Sequence, residues 1–159
     1  METHMENNKM LYSHVSVDCV LLGVNEDKLC VLLIERQMDN SDEKRYKLPG
    51  SLIFENEDLD TAAHRVFNEA TGLKRVPLKQ FRSFGSPSRT KNKDDMQWLE
   101  NAMKLKIERI VTVAYLALSK IGRKSNPTNK YNSLAWFPVD ALPSLPFDHK
   151  EIIEAAVEE

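Results

Sequence analysis

The sequence predicts a mixed α+β domain in which strands predominate and two or three helices pack outside the sheet. Three observations carry this expectation. Residues 14–24 (HVSVDCVLLGV) and 29–35 (LCVLLIE) are apolar and rich in β-branched side chains, the pattern of buried strands. Leu59, Ala62, Ala63, Val66, Phe67 and Ala70 fall at the i, i+3, i+4, i+7 spacing of one helical face. A third strong strand pattern, residues 107–118 (IERIVTVAYLAL), follows a second helix-periodic stretch, so helices and strands are interspersed.

The elements follow in order. Asn25, Glu26, Asp27 and Lys28 form a polar turn between the first two strands and predict a hairpin. The second strand is nearly continuous in apolar residues, as a strand buried on both faces is. Residues 37–45 read as a surface loop, and Tyr46 to Gly50 as a short strand and turn. Asp58 or Asp60 can cap the helix of residues 59–73, and Gly72 sits where a helix end takes a left-handed residue. Residues 78–84 (LKQFRSF) read as a strand, closed by the turn signal Gly85-Ser86-Pro87-Ser88. Between 93 and 106, Met96, Leu99, Ala102 and Met103 mark an amphipathic helix among charges. Residues 122–132 are a basic loop, residues 134–138 (LAWFP) a short strand, and His149 to the end a final helix.

Composition excludes several classes. The 22 basic and 24 acidic side chains leave a formal charge of −2, which does not suit a whole-chain basic nucleic-acid binder. The 159 residues suit a single domain, expected over 14–159 after a flexible segment 1–13. Two cysteines are too few for a disulfide framework or a zinc cage, and both lie in apolar runs that predict buried thiols. The polar start resembles no signal peptide, and no apolar run approaches a membrane span, so a cytoplasmic protein with no membrane partner is expected.

Residues 48–73 (LPGSLIFENEDLDTAAHRVFNEATGL) carry the chemistry. This segment resembles the signature of the Nudix superfamily: a glycine, five residues, a glutamate, seven residues, then Arg-Glu-apolar-any-Glu-Glu-any-Gly-apolar. Glu57, Arg65, Phe67, Glu69, Gly72 and Leu73 match it. Ser51 replaces the glycine, Val66 the glutamate after the arginine, and Ala70 the last glutamate. The resemblance implies a Nudix fold, an α/β/α sandwich with a mixed sheet flanked by helices. Such enzymes hydrolyse a nucleoside diphosphate linked to another group, with glutamates at i, i+3 and i+4 holding Mg²⁺ or Mn²⁺. Here only Glu69 of those three survives, as the one residual metal-ligand candidate. Glu57, Arg65 and Glu69 are the candidate catalytic residues. Glu57 and Arg65 are also expected to pair and brace the loop. Glu55, Asp58 and Asp60 are substitute ligands or, more simply, acids complementing the helix dipole.

From residue 14 to 158 the sequence is similar to one branch of that superfamily, the effector domains of bacterial Nudix-related transcriptional regulators of NAD metabolism or sugar use. The run Arg65-Val66-Phe67-Asn68-Glu69-Ala70-Thr71-Gly72 matches the branch's degenerate helix, and Phe147-Asp148-His149 its closing segment. The resemblance implies an ADP-ribose-like, nucleotide-sugar or sugar effector, with hydrolysis impaired or absent. DNA is then a partner only through a C-terminal domain beyond these residues. Arg36, Arg89 and Arg109 are the candidate ligand contacts, the latter two flanking an expected insertion at about 90–108. Asp148 is expected to cap the last helix, and His149 to pack or hydrogen-bond. The competing readings are a working Mg²⁺-dependent hydrolase and an interaction module or homodimer that uses the Met96-Leu99-Met103 face.

Overall fold

The computed structural model describes residues 11–36, 45–104, 106–120 and 134–159. Residues 1–10 of the expected flexible segment 1–13, residues 37–44 of the expected loop 37–45 and the basic loop with Arg123, Lys124 and Lys130 lie outside the described residues; residues 11–13 and Arg45 are strand instead, a correction of both expectations. Strand β1 (Leu11–Asn25) and strand β2 (Lys28–Arg36) form the expected antiparallel hairpin. Glu26 and Asp27 turn it with φ of 51° and 68°, the left-handed conformation that two-residue hairpin turns require. Next come β3 (Arg45–Lys47), β4 (Gly50–Phe54), helix α1 (Leu59–Thr71) and β5 (Lys79–Phe84). A 3₁₀ turn (Pro87–Thr90), helix α2 (Lys93–Met103), β6 (Val111–Lys120), β7 (Leu134–Pro138) and helix α3 (His149–Val157) complete the described chain.

Among the described residues seven strands form one mixed sheet whose main path is β3-β2-β1-β6-β5. β1 is its axis. On one edge it pairs in parallel with β6 from Val15↔Val111 to Val24↔Lys120. The other edge is shared: β4 takes residues 11–18 and β2 takes residues 22–25, both antiparallel. The connecting backbone is fixed there by Cys19 N–H donating to Pro49 O at 2.8 Å.

Two-residue alternation along β1 sorts the core into two layers. Val17, Cys19 and Leu21 face α1, where they bury Ala62, Ala63, Val66 and Phe67. Val20 and Leu22 face α3, where they bury Ile152, Ile153 and Ala156. A third cluster joins Leu52 of β4 to Leu99 of α2 with Ile107 and Ile110.

Helix α1 starts as its sequence indicates: the Asp58 carboxylate accepts from Thr61 N–H at 2.8 Å. It stops at Thr71 because Gly72 adopts φ 75° and returns its N–H to Asn68 O. Two further expectations are corrected. The strand expected from residue 107 begins only at Val111, since Ile107 and Ile110 are drawn into the cluster under α2. Residues 50–54, not anticipated as a strand, pair with β1. Both cysteines are buried, as expected.

Candidate functional site

The signature residues Glu57, Arg65 and Glu69 form a closed ionic knot on the α1 face. Arg65 Nε donates to Glu57 Oε2 at 2.8 Å and Arg65 Nη2 to Glu57 Oε1 at 2.9 Å, a two-point pairing. Glu57 Oε1 also accepts from Phe54 N–H, and Arg65 Nη2 from its side reaches Leu52 O. The guanidinium lies over the Phe54 ring at 4.0 Å. The pair therefore braces β4 against α1, as the sequence indicated. Glu69 stands one turn on, its side chain 64% exposed, and accepts from Arg65 Nη1 at 3.1 Å. Val66 and Ala70 are buried at 3% and 8% exposure, so the two missing glutamates have become core. Asp58 serves as the helix cap and Asp60 accepts from the Tyr115 hydroxyl at 2.6 Å.

A second constellation lies on the opposite face of β1, under the start of α3. Asp18, one residue from Val17 and so turned to the α3 side, sits at 4% exposure beside four polar partners. Thr112 of β6 donates its hydroxyl to Asp18 Oδ2 at 2.7 Å. His149 Nε2 stands 3.5 Å from Oδ1, and Arg89 Nη2 3.9 Å from Oδ2. Arg89 is buried and binds both oxygens of Asp148 at 3.0–3.1 Å, while its Nη1 donates to Ile110 O at 2.9 Å. Lys47 Nζ donates to Gly50 O at 2.9 Å. These groups floor a cleft whose walls include Trp98, Leu99 and Phe147.

His149 Nδ1 accepts from Leu48 N–H at 3.2 Å, which leaves its proton on Nε2, facing Asp18. Burial, more than any neighbour, lowers its pKa to about 4; Lys47 and Arg89 push the same way, against Asp18 and Asp148. Burial also lowers the pKa of the Lys47 ammonium. A folded-state histidine pKa below the unfolded value means that the unfolded chain binds the extra proton. Stability is therefore expected to fall by up to about 3 kcal/mol as pH drops from roughly 6.5 to 4. Urea unfolding of the wild type and of His149→Gln checks this. The variant keeps an acceptor and a donor without a titratable ring, and it should lose that part of the acid slope.

The three arginines expected to contact a ligand separate. Arg89 lines the cleft. Arg36 is buried at the end of β2, with Nη1 3.5 Å from Asp95 Oδ1 and its guanidinium 5.1 Å from the Trp98 ring centre. Arg109 lies outside the cleft lining and donates from Nη2 to Gly85 O at 2.7 Å. The expected cap at Asp148 is not made: its carboxylate is engaged by Arg89, and its backbone (φ −109°, ψ 29°) is not the extended one a cap uses. Asp18, Lys47 and Trp98 were not anticipated. The one available signal was an aspartate inside an apolar strand, since a buried carboxylate needs partners.

The family model described as NUDIX domain matches residues 12–156, nearly the whole chain. The chain belongs to the Nudix family. It is 29% identical over 147 residues to the ADPR responsive transcriptional repressor NtrR of Acinetobacter baylyi, covering 89% of this chain and 52% of that protein. This Nudix chain thus spans about half the length of that relative. It superposes on the NUDIX domain of Shewanella oneidensis NrtR complexed with ADP ribose, with TM-score 0.64 and 24% identity over 99% of this chain and 97% of that one. Shewanella oneidensis NrtR itself gives TM-score 0.63 and 27% identity, covering 91% of this chain and 62% of that one.

Nudix enzymes imply a divalent cation, and hard cations want several oxygen ligands on one side. The residues here do not fit one. Both Glu57 oxygens are engaged by Arg65, Val66 and Ala70 carry no donor, and Glu69 accepts from Arg65 Nη1. Among the described residues no group of three or more Asp, Glu, His or Cys side chains is placed to hold a metal. Among the same residues no helix is long and apolar enough to cross a membrane.

Proposed function

We propose that this Nudix domain binds an ADP-ribose-like, nucleotide-sugar or sugar effector in the cleft floored by Asp18, Lys47, Arg89 and His149, and that its hydrolysis is impaired or absent. The observation that carries this is the burial of Val66 and Ala70. Of the three positions that hold metal in a working signature, one now packs against β1 and β6 as Val66, and a second, Ala70, is buried without a polar atom. The cleft sets Lys47 and Arg89 beside Asp18, between the aromatic walls of Trp98 and Phe147, groups of the kinds that take phosphates and a flat base. The names of the relatives support the same ligand class: one is ADPR responsive, and another was crystallised with ADP ribose. On this reading we assign any DNA contact of such a repressor to the part of the relative that this chain does not span.

A thermal-shift series with ADP-ribose, nucleotide sugars and pentoses, each with and without Mg²⁺, tests the reading. A true ligand at about 100 times its dissociation constant is expected to stabilise the fold by about 2.7 kcal/mol. Hydrolysis of ADP-ribose with Mg²⁺ at about 1 per second or faster, abolished in Glu69→Gln, would establish the hydrolase instead.

A further inference from the structure

The cleft is nearly filled by its own chain. Its free volume is about 40 Å³, enough for a few waters, whereas ligand sites run upward from roughly 300 Å³. What closes it is α2, through Trp98 and Leu99. This helix has 11 residues, short of the length at which helices stand alone in water, about 12–15 residues. Its docking therefore depends on its contacts. Leu99 packs on Leu52, Ile107 and Ile110. Two carboxylates make polar ties: Asp95 Oδ1 lies 3.5 Å from Arg36 Nη1 and its Oδ2 accepts from Phe147 N–H at 2.9 Å, while Glu100 Oε2 accepts from Ile107 N–H at 2.8 Å.

Two features mark the place Trp98 occupies as suited to something else. First, the indole rests against two cations, with the Arg36 guanidinium 5.1 Å and Lys47 Nζ 5.6 Å from its ring centre. Cation–π attraction of this kind is available to any electron-rich flat ring. Second, the Arg36 side chain is 4% exposed, and its Nε–H has no hydrogen-bond partner among the described residues. Buried donors in native proteins are nearly always satisfied, and this one finds no acceptor among the described residues. Phe147 adds a third sign of a metastable arrangement: it holds φ 52°, uncommon for a bulky residue, with its N–H tied to Asp95.

Resting on the cleft reading above, we propose that Trp98 is a resident stand-in for the ligand. A molecule with a flat heteroaromatic ring beside an anionic group binds by displacing it, its ring taking the indole's place against Arg36 and Lys47 and its anion accepting from Arg36. Displacement lifts α2 and frees Phe147 N–H from Asp95, at the turn that leads directly into α3. Because only the lifted form binds, the apparent dissociation constant equals the intrinsic one divided by the fraction already open. Loosening α2 therefore tightens binding.

The test is a calorimetric titration of ADP-ribose into wild type, Trp98→Ala and Asp95→Asn, with hydrogen exchange of residues 93–103 followed in wild type with and without ADP-ribose. Trp98→Ala is expected to bind about tenfold tighter or more, and Asp95→Asn by about threefold, as the open fraction rises. Exchange across 93–103 should quicken when wild type is loaded. If wild type binds ADP-ribose while α2 keeps its protection and neither variant gains affinity, the cleft reading stands and the displacement is overturned. If none of the three proteins binds, the cleft reading falls and the displacement with it. The wild-type exchange and the conservative Asp95→Asn keep the test decisive should Trp98→Ala fold poorly.

Discussion

Replacing Arg89 with Met is expected to cost the fold about 3–5 kcal/mol, the range found when one partner of a buried ion pair is removed. Arg89 is 4% exposed in its side chain and serves three acceptors at once: two oxygens of Asp148 and the carbonyl of Ile110. Methionine fills comparable space but leaves Asp148 without its cation and Ile110 O without a donor. Asp18 also loses a charge 3.9 Å away and keeps only Thr112, His149 and Lys47 nearby. Arg89→Lys should fall between the two, because an ammonium cannot reproduce the two-point contact. Urea unfolding at pH 7.5, above the histidine window, measures the difference. A loss below about 1 kcal/mol would place the pair among the weak surface bridges and contradict its burial.

Gly50→Ala is expected to destabilise the protein by about 3 kcal/mol or more, from overpacking joined to disruption of a buried charge. A methyl group there would stand 2.0 Å from Asp18 Oδ1 and 2.8 Å from Val17 O. The second neighbour is backbone in the central strand and cannot swing aside. The first is anchored by Thr112 and His149, so moving it breaks the floor of the cleft. For a domain of this size that loss corresponds to a fall in Tm of roughly 6–12 °C. Gly85→Ala makes a matched control, since its added methyl meets Val111 at 3.5 Å, an ordinary contact. Equal behaviour of the two variants would refute the steric account.

Much of the α1 side was legible from residues alone. The apolar stripe, a cap at Asp58 or Asp60 and the Gly72 stop are local in sequence, and local spacing fixes them; the Glu57–Arg65 brace came from the resemblance of the segment to the Nudix signature. The cleft was not, because its residues run from position 16 to position 149 and meet only through long-range pairing. Asp18 reaches Thr112 because β1 and β6 pair in parallel, and it meets Gly50 because β4 pairs antiparallel on the other edge. Asp148 shows how tertiary charge overrides a local preference. A capping aspartate gains one bond to a backbone N–H, whereas a buried guanidinium offers a charged, two-point contact. Arg89 and Arg109 look equivalent as flanks of residues 90–108. One was carried into the interior to hold Ile110 O, the other to Gly85 O at the surface.

The parallel pairing of β1 with β6 also sets the folding order and the entropic cost of length in the crossover between them. Val15 and Val111 are register partners 96 positions apart, so the central ladder closes a very long loop. Such non-local closure is slow, and β6 must be synthesised before the centre of the sheet exists. The closure entropy, however, grows only with the logarithm of the loop. Including residues 90–108 within it costs about 0.2 kcal/mol on that scale. A crossover already so long carries a helix such as α2 at almost no entropic penalty, so deleting or lengthening this stretch should leave the sheet's closure cost nearly unchanged.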